Sequence, residues 1–153
     1  MKRVFILLLV VSIAACKQPR VNIELEKEAI AKCWTDWPKK AMTRDPELGT
    51  YYFADDATIM GQELPTVKGK RELIKFFSPM LKDTGVKVNW GEKPDIIEFS
   101  EDGTMAYSID KQELSRTDST GKVETKINQA LHVWKKDNKG DWKVSLVFMY
   151  PKN

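Results

Sequence analysis

Two residues of this chain, Asp110 and His132, carry side chains able to move a proton. His132 is the only histidine, and a neutral imidazole acts as a general base when a second group orients its ring. It alternates with Leu131 and Val133, so we expect it on the outer face of a sheet. Asp110 interrupts a run typical of a strand. Its carboxyl either points inward or occupies an edge or bulge position, and we expect the latter.

Metal and cofactor chemistry finds little support in the sequence. One histidine and two cysteines far apart in the sequence, Cys16 and Cys33, do not have the close ligand spacing of a zinc site. The acidic turns at 101–103 and 137–140 lack the twelve-residue ligand pattern of a calcium loop. Gly69 belongs to no phosphate-binding motif. We therefore expect neither a metal nor a cofactor.

Aromatic side chains are the strongest indication of a pocket, with five Trp, six Phe and four Tyr in 153 residues. Such rings can line an apolar cleft and still offer a few hydrogen bonds. Any single ring is more often part of the core, but together some should face a cavity. Gln129 and Asn128 either hydrogen-bond in that cavity or face water. The candidate ligand-binding residues are Trp34, Trp37, Tyr52, Phe76, Trp90, Tyr107, Gln129 and Tyr150.

The amino terminus has the layout of a secretory signal peptide. A basic pair, Lys2-Arg3, precedes the apolar run 4–11, which is too short to span a bilayer as an ordinary helix. Small residues follow, and the segment 13–16 (Ile-Ala-Ala-Cys) resembles the bacterial lipobox. In a lipobox the cysteine, here Cys16, becomes the lipidated first residue of the mature chain. The alternative is an ordinary signal peptide cleaved near Ala15.

This resemblance implies a signal peptide at 1–15, a lipidated cysteine with a short tether at 16–21, and one domain at 22–153. Several acyl chains on Cys16 would anchor the protein to a membrane. Lys17 is not the Asp of an inner-membrane retention signal, so we expect the outer membrane, facing the periplasm. With Cys16 lipidated, Cys33 has no disulfide partner, and we expect it to be buried and inert.

The charge balance excludes nucleic acid as an expected partner. The formal charge is +3, and loss of Lys2 and Arg3 with the signal peptide leaves 23 basic residues against 22 acidic. A nucleic-acid interface requires a clustered basic face.

Apolar periodicity predicts three helices followed by strands. Asn22 and Asp45 are expected helix caps, and Pro38 should kink or break the first helix. The expected helices are 22–44, 46–53 and 70–82, and the expected strands are 57–60, 86–90, 96–100, 104–116, 123–136 and 142–150. Turn signals between neighbouring strands favour antiparallel hairpins. The order predicts an α+β domain with three N-terminal helices on one face of a curved antiparallel sheet.

The last two strands carry large apolar residues on both faces, so their second face needs a cover. A homodimer through the outer face is one solution, and a bent C-terminal strand is the other.

The order of elements and several local strings resemble the nuclear transport factor 2-like superfamily, above all its SnoaL-like and ketosteroid isomerase-related branch. The strings are Arg44-Asp45-Pro46-Glu47, the segment 52–58 (Tyr-Phe-Ala-Asp-Asp-Ala-Thr), Val67-Lys68-Gly69-Lys70, and the strand pair 131–136 and 140–144. The resemblance spans about residues 23–150. It implies a cone-shaped fold in which helices and a curled sheet enclose a pocket. Members include isomerases, cyclases and dehydratases, so the fold does not settle the function.

The acidic positions of the active relatives are changed here. Aligned on the strings above, the base position of the isomerases is Gly61, with Glu63 two residues further on, and the oxyanion-donor position falls near Ala130. The late strand 144–150, which carries an acid in SnoaL-like cyclases, contains none. The resemblance therefore implies a fold without the chemistry of those relatives.

We expect a membrane-anchored domain that binds a small apolar molecule or acts as an accessory module without catalysis. One alternative is an acid–base enzyme of the same fold, an isomerase, dehydratase or hydrolase-like protein, that uses Asp110 or His132. Another is a structural homodimer module whose cone is filled by side chains.

Overall fold

The computed structural model describes residues 21–152. The predicted signal peptide and Cys16 lie outside this range. None of the helices within it is both long enough and apolar enough to cross a membrane. The elements are α1 (Ile23–Met42), α2 (Pro46–Gly49), β1 (Phe53–Gly61), β2 (Leu64–Lys68), α3 (Lys70–Lys82), β3 (Val86–Asn89), β4 (Ile96–Phe99), β5 (Met105–Thr117), β6 (Val123–Lys136) and β7 (Trp142–Pro151).

Helix α1 begins at the predicted cap, where the Asn22 side chain accepts a hydrogen bond of 3.1 Å from the Glu24 backbone N–H. The helix runs through Pro38 to Met42 without interruption, so of the expected kink or break the break is wrong. A proline removes only one backbone hydrogen bond, and the packed face of the helix outweighs that loss. That face buries Ile30, Trp34 and Trp37 at helical spacing.

Helix α2 is shorter than predicted. The Asp45 side chain caps it by accepting a 2.8 Å hydrogen bond from the Glu47 N–H. The helix ends at Gly49 and does not reach Phe53, because Phe53 already pairs with Val144 of β7 as the first residue of β1. Pairing with a distant strand overrides the local helical pattern.

The seven strands form one curved, mixed sheet in the order β2-β1-β7-β6-β5-β3, and β4 also pairs with β5. The expectation of a wholly antiparallel sheet is corrected at one place, since β1 runs parallel to β7. Strand β2, which contains Pro65, is absent from the predicted strands. It lies at the edge of the sheet, where a missing N–H is tolerated.

Strands β5 and β6 pair through thirteen consecutive positions, from Met105 opposite Lys135 to Thr117 opposite Val123. Because side chains alternate between faces, this register decides which residues point to the core. The inner face is covered by the helices. The outer face exposes Ile96, Tyr107 and Phe148, so the predicted homodimer through this face stays a prediction.

A half-buried carboxylate joins α1 to the last two strands. Glu26 accepts hydrogen bonds from Lys136 Nζ at 2.6 Å and from Trp142 Nε1 at 2.9 Å. The hydrogen bond from Lys136 is the main reason why the pKa of Glu26 lies below its ordinary value, despite the opposing effect of burial. A carboxyl whose pKa is lowered by folding stabilises the protein above its unfolded-state pKa, and that stabilisation is lost as the pH falls.

Glu26→Gln should therefore lower the free energy of unfolding by about 1 kcal/mol at pH 7 and by much less at pH 3. Urea unfolding at both pH values measures the difference. Glu24→Gln, at an exposed site on the same helical turn, is the matched control and should stay close to wild type. An equal loss for Glu26→Gln at both pH values would show that the carboxylate charge is not the source of the stability.

Candidate active site

A cavity of about 110 Å³ lies between the helices and the inner face of the sheet. Its wall is mostly apolar, and three of its residues, Gln112, Asn128 and His132, have polar side chains. Its lining comprises Trp37, Ala41, Gly49, Phe53, Ile59, Phe77, Met80, Leu81, Val88, Trp90, Gln112, Leu114, Asn128, His132, Val147 and Met149.

Trp37 organises the aromatic part of the wall. Its ring centroid lies 5.2 Å from that of Phe53, 5.3 Å from Trp90 and 5.8 Å from His132. Its Nε1 donates a 2.8 Å hydrogen bond to the carbonyl oxygen of Gly49, so the indole has no free donor for a ligand. A Cβ at Gly49 would lie 2.6 Å from a methyl of Leu81, so any larger residue would force that side chain to move.

His132 and Asp110 form a buried pair at this cavity. Their side chains are 3% and 1% exposed, and His132 Nδ1 lies 2.8 Å from Asp110 Oδ1. This separation is short enough for a hydrogen bond, but the relative orientation of the ring and the carboxyl group does not meet the angular criteria for one. The strand register brings the two residues to diagonal positions on the same face of the sheet.

The imidazole presents its second nitrogen to the cavity. His132 lines the cavity wall, and its Nδ1 is fully enclosed against the carboxyl of Asp110. Nε2 is thus the atom available to a bound molecule. A histidine with one nitrogen at a carboxylate and the other at a cavity has the arrangement of an oriented general base.

The structure corrects two expectations about this pair. Asp110 occupies a regular, central position of β5 opposite Ala130, and neither an edge nor a bulge. His132 faces the core, opposite Ser108, and not the outer surface. The two side chains meet diagonally across the ladder, within reach of long side chains. The local sequence shows the alternation, but only the packing of the helices decides which face is inside.

Several polar atoms of this region are enclosed without a hydrogen bond among residues 21–152: Trp34 Nε1, both carboxyl oxygens of Asp110, and His132 Nδ1. Enclosed polar groups without partners cost stability, and in native proteins they mark functional sites or bound water. The neighbouring Ser108 is satisfied, because its hydroxyl accepts a 2.9 Å hydrogen bond from Trp134 Nε1. The enclosed polar atoms without a hydrogen bond therefore belong to the Asp110–His132 pair and to the neighbouring Trp34.

Of the five candidate ligand-binding residues outside the outer sheet face, Trp37 and Trp90 line the cavity. Trp34 is buried beside His132, with ring centroids 5.7 Å apart, but does not line the cavity. Tyr52 packs against Trp37 and donates a 2.6 Å hydrogen bond to Asp36.

Burial and the bond to Asp36 raise the pKa of Tyr52 well above its ordinary value, so it stays a neutral phenol. Phe76 packs against Phe77 and lies away from the cavity.

Tyr107, Gln129 and Tyr150 do not line the cavity, contrary to expectation. They lie on the outer face of the sheet, in register with Val133 for Tyr107 and with each other for Gln129 and Tyr150. On their strands these three positions alternate with the inward-facing ones, so their side chains leave the sheet on the side opposite to Asp110 and His132.

Gln112 is a polar cavity residue that the sequence interpretation missed. Alternate positions of β5 hold Ser108, Asp110 and Gln112, a polar row within a strand that has Tyr107 and Ile109 on its other face. This alternation was the available signal. A row of polar residues on a strand normally predicts the solvent-exposed face. Here it lies on the inner face, because the cavity is partly polar.

The positions of this chain that correspond to the acids of the isomerases, by the resemblance given above, carry no acidic side chain. Gly61 allows no side chain, because a Cβ there would collide with the carbonyl oxygen of Met149. Glu63 is exposed and pairs with Lys126 at 3.2 Å. Ala130 is fully buried directly opposite Asp110, so a carboxyl stands on the neighbouring strand at the same level of the sheet.

No cluster of three or more His, Cys, Asp or Glu side chains suited to a metal occurs within residues 21–152. Cys33 is half-buried, and burial raises the pKa of its thiol, which lowers its reactivity at neutral pH.

Comparison of the sequence with family models finds no match, and comparison with curated proteins finds none either. Solved structures do match. A nuclear transport factor 2-like superfamily protein from Salmonella enterica serovar Typhimurium superposes with a TM-score of 0.72 at 14% identity, over 86% of this chain and 94% of its own.

Two further neighbours have names that refer to enzymes. A ketosteroid isomerase-like protein from Erwinia carotovora atroseptica has a TM-score of 0.68 at 18% identity, covering 84% of this chain and 97% of its own. A candidate scytalone dehydratase from Novosphingobium aromaticivorans has a TM-score of 0.72 at 16% identity, covering 86% and 87%. At these identities the likeness establishes the architecture alone. The chain therefore has the nuclear transport factor 2-like, cystatin-like fold, an α+β cone of helices packed on a curved mixed sheet.

Proposed function

We propose that this protein is an acid–base enzyme acting on a small, largely apolar molecule, with His132 as the general base and Asp110 as the residue that orients it. The observation that carries the proposal is the 2.8 Å contact between two enclosed side chains, one of which lines the cavity. Burying such a pair without full hydrogen bonding costs stability, and function is the common reason for its presence.

The proposed reaction begins with proton abstraction beside a carbonyl group. His132 Nε2 takes a proton from carbon, and the electron pair of the broken C–H bond moves onto the carbonyl oxygen. The carboxylate of Asp110 stabilises the imidazolium that forms. In an isomerisation the electron pair returns from the oxygen and re-forms the C=O bond, a neighbouring C=C bond shifts, and His132 returns the proton to the far carbon of that bond. In a dehydration the returning pair forms a C=C bond as the C–O bond of a β-hydroxyl group breaks, and transfer of the proton to that hydroxyl releases water.

The size of the cavity limits the substrate. A cavity of about 150 Å³ in another protein holds benzene, and the volume here is about 110 Å³. The substrate is therefore of the size of one small ring or less, unless the helices move apart. Isomerase-like and dehydratase names among proteins of similar fold agree with this reaction class.

Binding without catalysis is the second candidate function, favoured by the apolar wall of the cavity. It does not account for the Asp110–His132 pair, since an apolar ligand gains nothing from two enclosed polar side chains. A filled structural cone is disfavoured by the cavity itself.

A proton-exchange assay tests the proposed base. Cyclohexanone in D₂O exchanges its α-protons slowly, and NMR follows the rate directly. We expect the protein to accelerate this exchange and His132→Gln to lower the acceleration about 100-fold or more. Asp110→Asn should also slow it, because the ring then loses its oriented tautomer.

Gln129→Leu, on the outer face of the same strand as His132, is the control and should exchange as fast as wild type. Equal rates for wild type and His132→Gln, with this probe and with small hydroxyketones, would refute the proposed base.

The stability of the pair provides an independent prediction. Asp110→Leu leaves His132 without its partner and should lower the free energy of unfolding by about 3 kcal/mol. The double variant Asp110→Leu/His132→Leu should recover most of this loss, because two apolar side chains need no partner. Urea unfolding of wild type, Asp110→Leu, His132→Leu and the double variant measures the coupling. Losses that simply add would mean that the two groups do not interact.

We further propose that Cys16 is lipidated and holds the domain at a bacterial envelope membrane, most simply the outer membrane. The support is the sequence 13–16 directly after an apolar leader. Cys16→Ser should move the protein from the membrane fraction to the soluble fraction, and Cys33→Ser should leave it with the membranes. If Cys16→Ser still pellets with membranes, the lipid anchor is wrong.

A further inference from the structure

Two amide side chains share the cavity with His132. Gln112 and Asn128 both line its wall, and they face each other across the β5–β6 ladder. Gln112 is only 8% exposed. Within residues 21–152 neither side chain makes a hydrogen bond to another group of the protein. Each amide thus has a donor and an acceptor to offer to a molecule in the cavity.

The amides and the imidazole stand at different depths of the cavity. Asn128 and His132 lie on the same face of β6, four residues apart, which places their Cα atoms about 13 Å apart along the strand. Between them on β6 is the fully buried Ala130, and directly opposite it on β5 is Asp110, the partner of His132. The rest of the cavity wall is apolar, with rings such as Trp37 and Phe53. The polar side chains that line the cavity therefore stand at two levels of the sheet, the two amides at one and His132 at the other.

We propose that Gln112 and Asn128 bind a second polar group of the substrate, which makes the substrate class a compact apolar ring or chain with a neutral oxygen function at each end. This inference rests on the proposed function, since it assumes that the other end is positioned at His132. A hydroxyketone has the required pattern.

The chemistry of the lining excludes a charged group at the amide end. Amides donate and accept, so they fit a hydroxyl or a carbonyl. No Lys or Arg lines the described cavity, so a carboxylate or phosphate there would lack a counter-charge.

A molecule that lacks the second oxygen would leave two amides in a largely apolar space without partners. Each unmade hydrogen bond in such a space weakens binding by about tenfold. The amide pair thus acts as a specificity element, and His132 carries the chemistry.

Two matched probes test whether the amide pair selects a substrate with a second oxygen function. Cyclohexanone has one oxygen function, and 4-hydroxycyclohexanone has a second at the opposite end of the same ring. NMR titration of the protein without residues 1–16 gives the dissociation constant of each. We expect wild type to bind 4-hydroxycyclohexanone about tenfold more tightly than cyclohexanone.

The isosteric variants Gln112→Met and Asn128→Leu should lose this preference, because each removes an amide that cyclohexanone leaves without a partner and 4-hydroxycyclohexanone satisfies. Their affinity for cyclohexanone should therefore rise, and their affinity for 4-hydroxycyclohexanone should fall. Gln129→Leu, the neighbour of Asn128 on the outer face, should keep the preference. Circular dichroism confirms that each variant is folded, and if one is not, the other single variant decides.

Failure of this inference is separable from failure of the proposed function. Equal affinities for the two probes in wild type, no binding of either, or an unchanged preference in both amide variants overturns the specificity role. His132→Gln should retain the preference for 4-hydroxycyclohexanone and lose only proton exchange. A preference that persists when no exchange is detectable would support the amide pair and refute the general base.

Discussion

The uninterrupted register of β5 against β6 is the constraint on which the site depends. Thirteen consecutive pairs place Asp110 opposite Ala130 and Ser108 opposite His132. The carboxyl and the imidazole therefore meet on the diagonal, on the face that the helices cover. A shift of the register by one residue would move one of them to the outer face and separate the pair. The long ladder makes such a shift costly, because every pair along it would have to change.

The cavity exists because large rings and small residues meet above this ladder. Trp37 of α1 packs against His132 and Trp134 of β6 and is fixed by its hydrogen bond to the carbonyl oxygen of Gly49. Glycine at position 49 lets α2 approach Leu81 of α3 without a side chain in between. A rigid aromatic wall of this kind holds an apolar ring well, and the polar atoms of the floor then decide its orientation.

The arrangement differs from that of the isomerase relatives in the strand that carries the acid. Ala130 occupies the position near which the resemblance places an acid, and Asp110 stands directly across the ladder from it. A carboxyl is thus present at the level of position 130, but it comes from β5 and not from β6. That carboxyl lies 2.8 Å from the imidazole of His132, so in the proposed function the acid orients the base. Enclosing two polar side chains in this way costs stability.

The sequence by itself determined the class of fold, the order of most elements and the caps of the first two helices, because these depend on local periodicity and on residues such as Asn22 and Asp45. Tertiary structure alone decided the rest. Pairing with β7 ended α2 before Phe53 and made the sheet mixed. The side of the sheet on which the helices pack turned Asp110 and His132 inward and Tyr107 and Gln129 outward. Alternation along a strand shows which residues share a face, but two faces of a sheet that are both rich in apolar residues look alike in sequence. Only the covering helices distinguish the face that is buried.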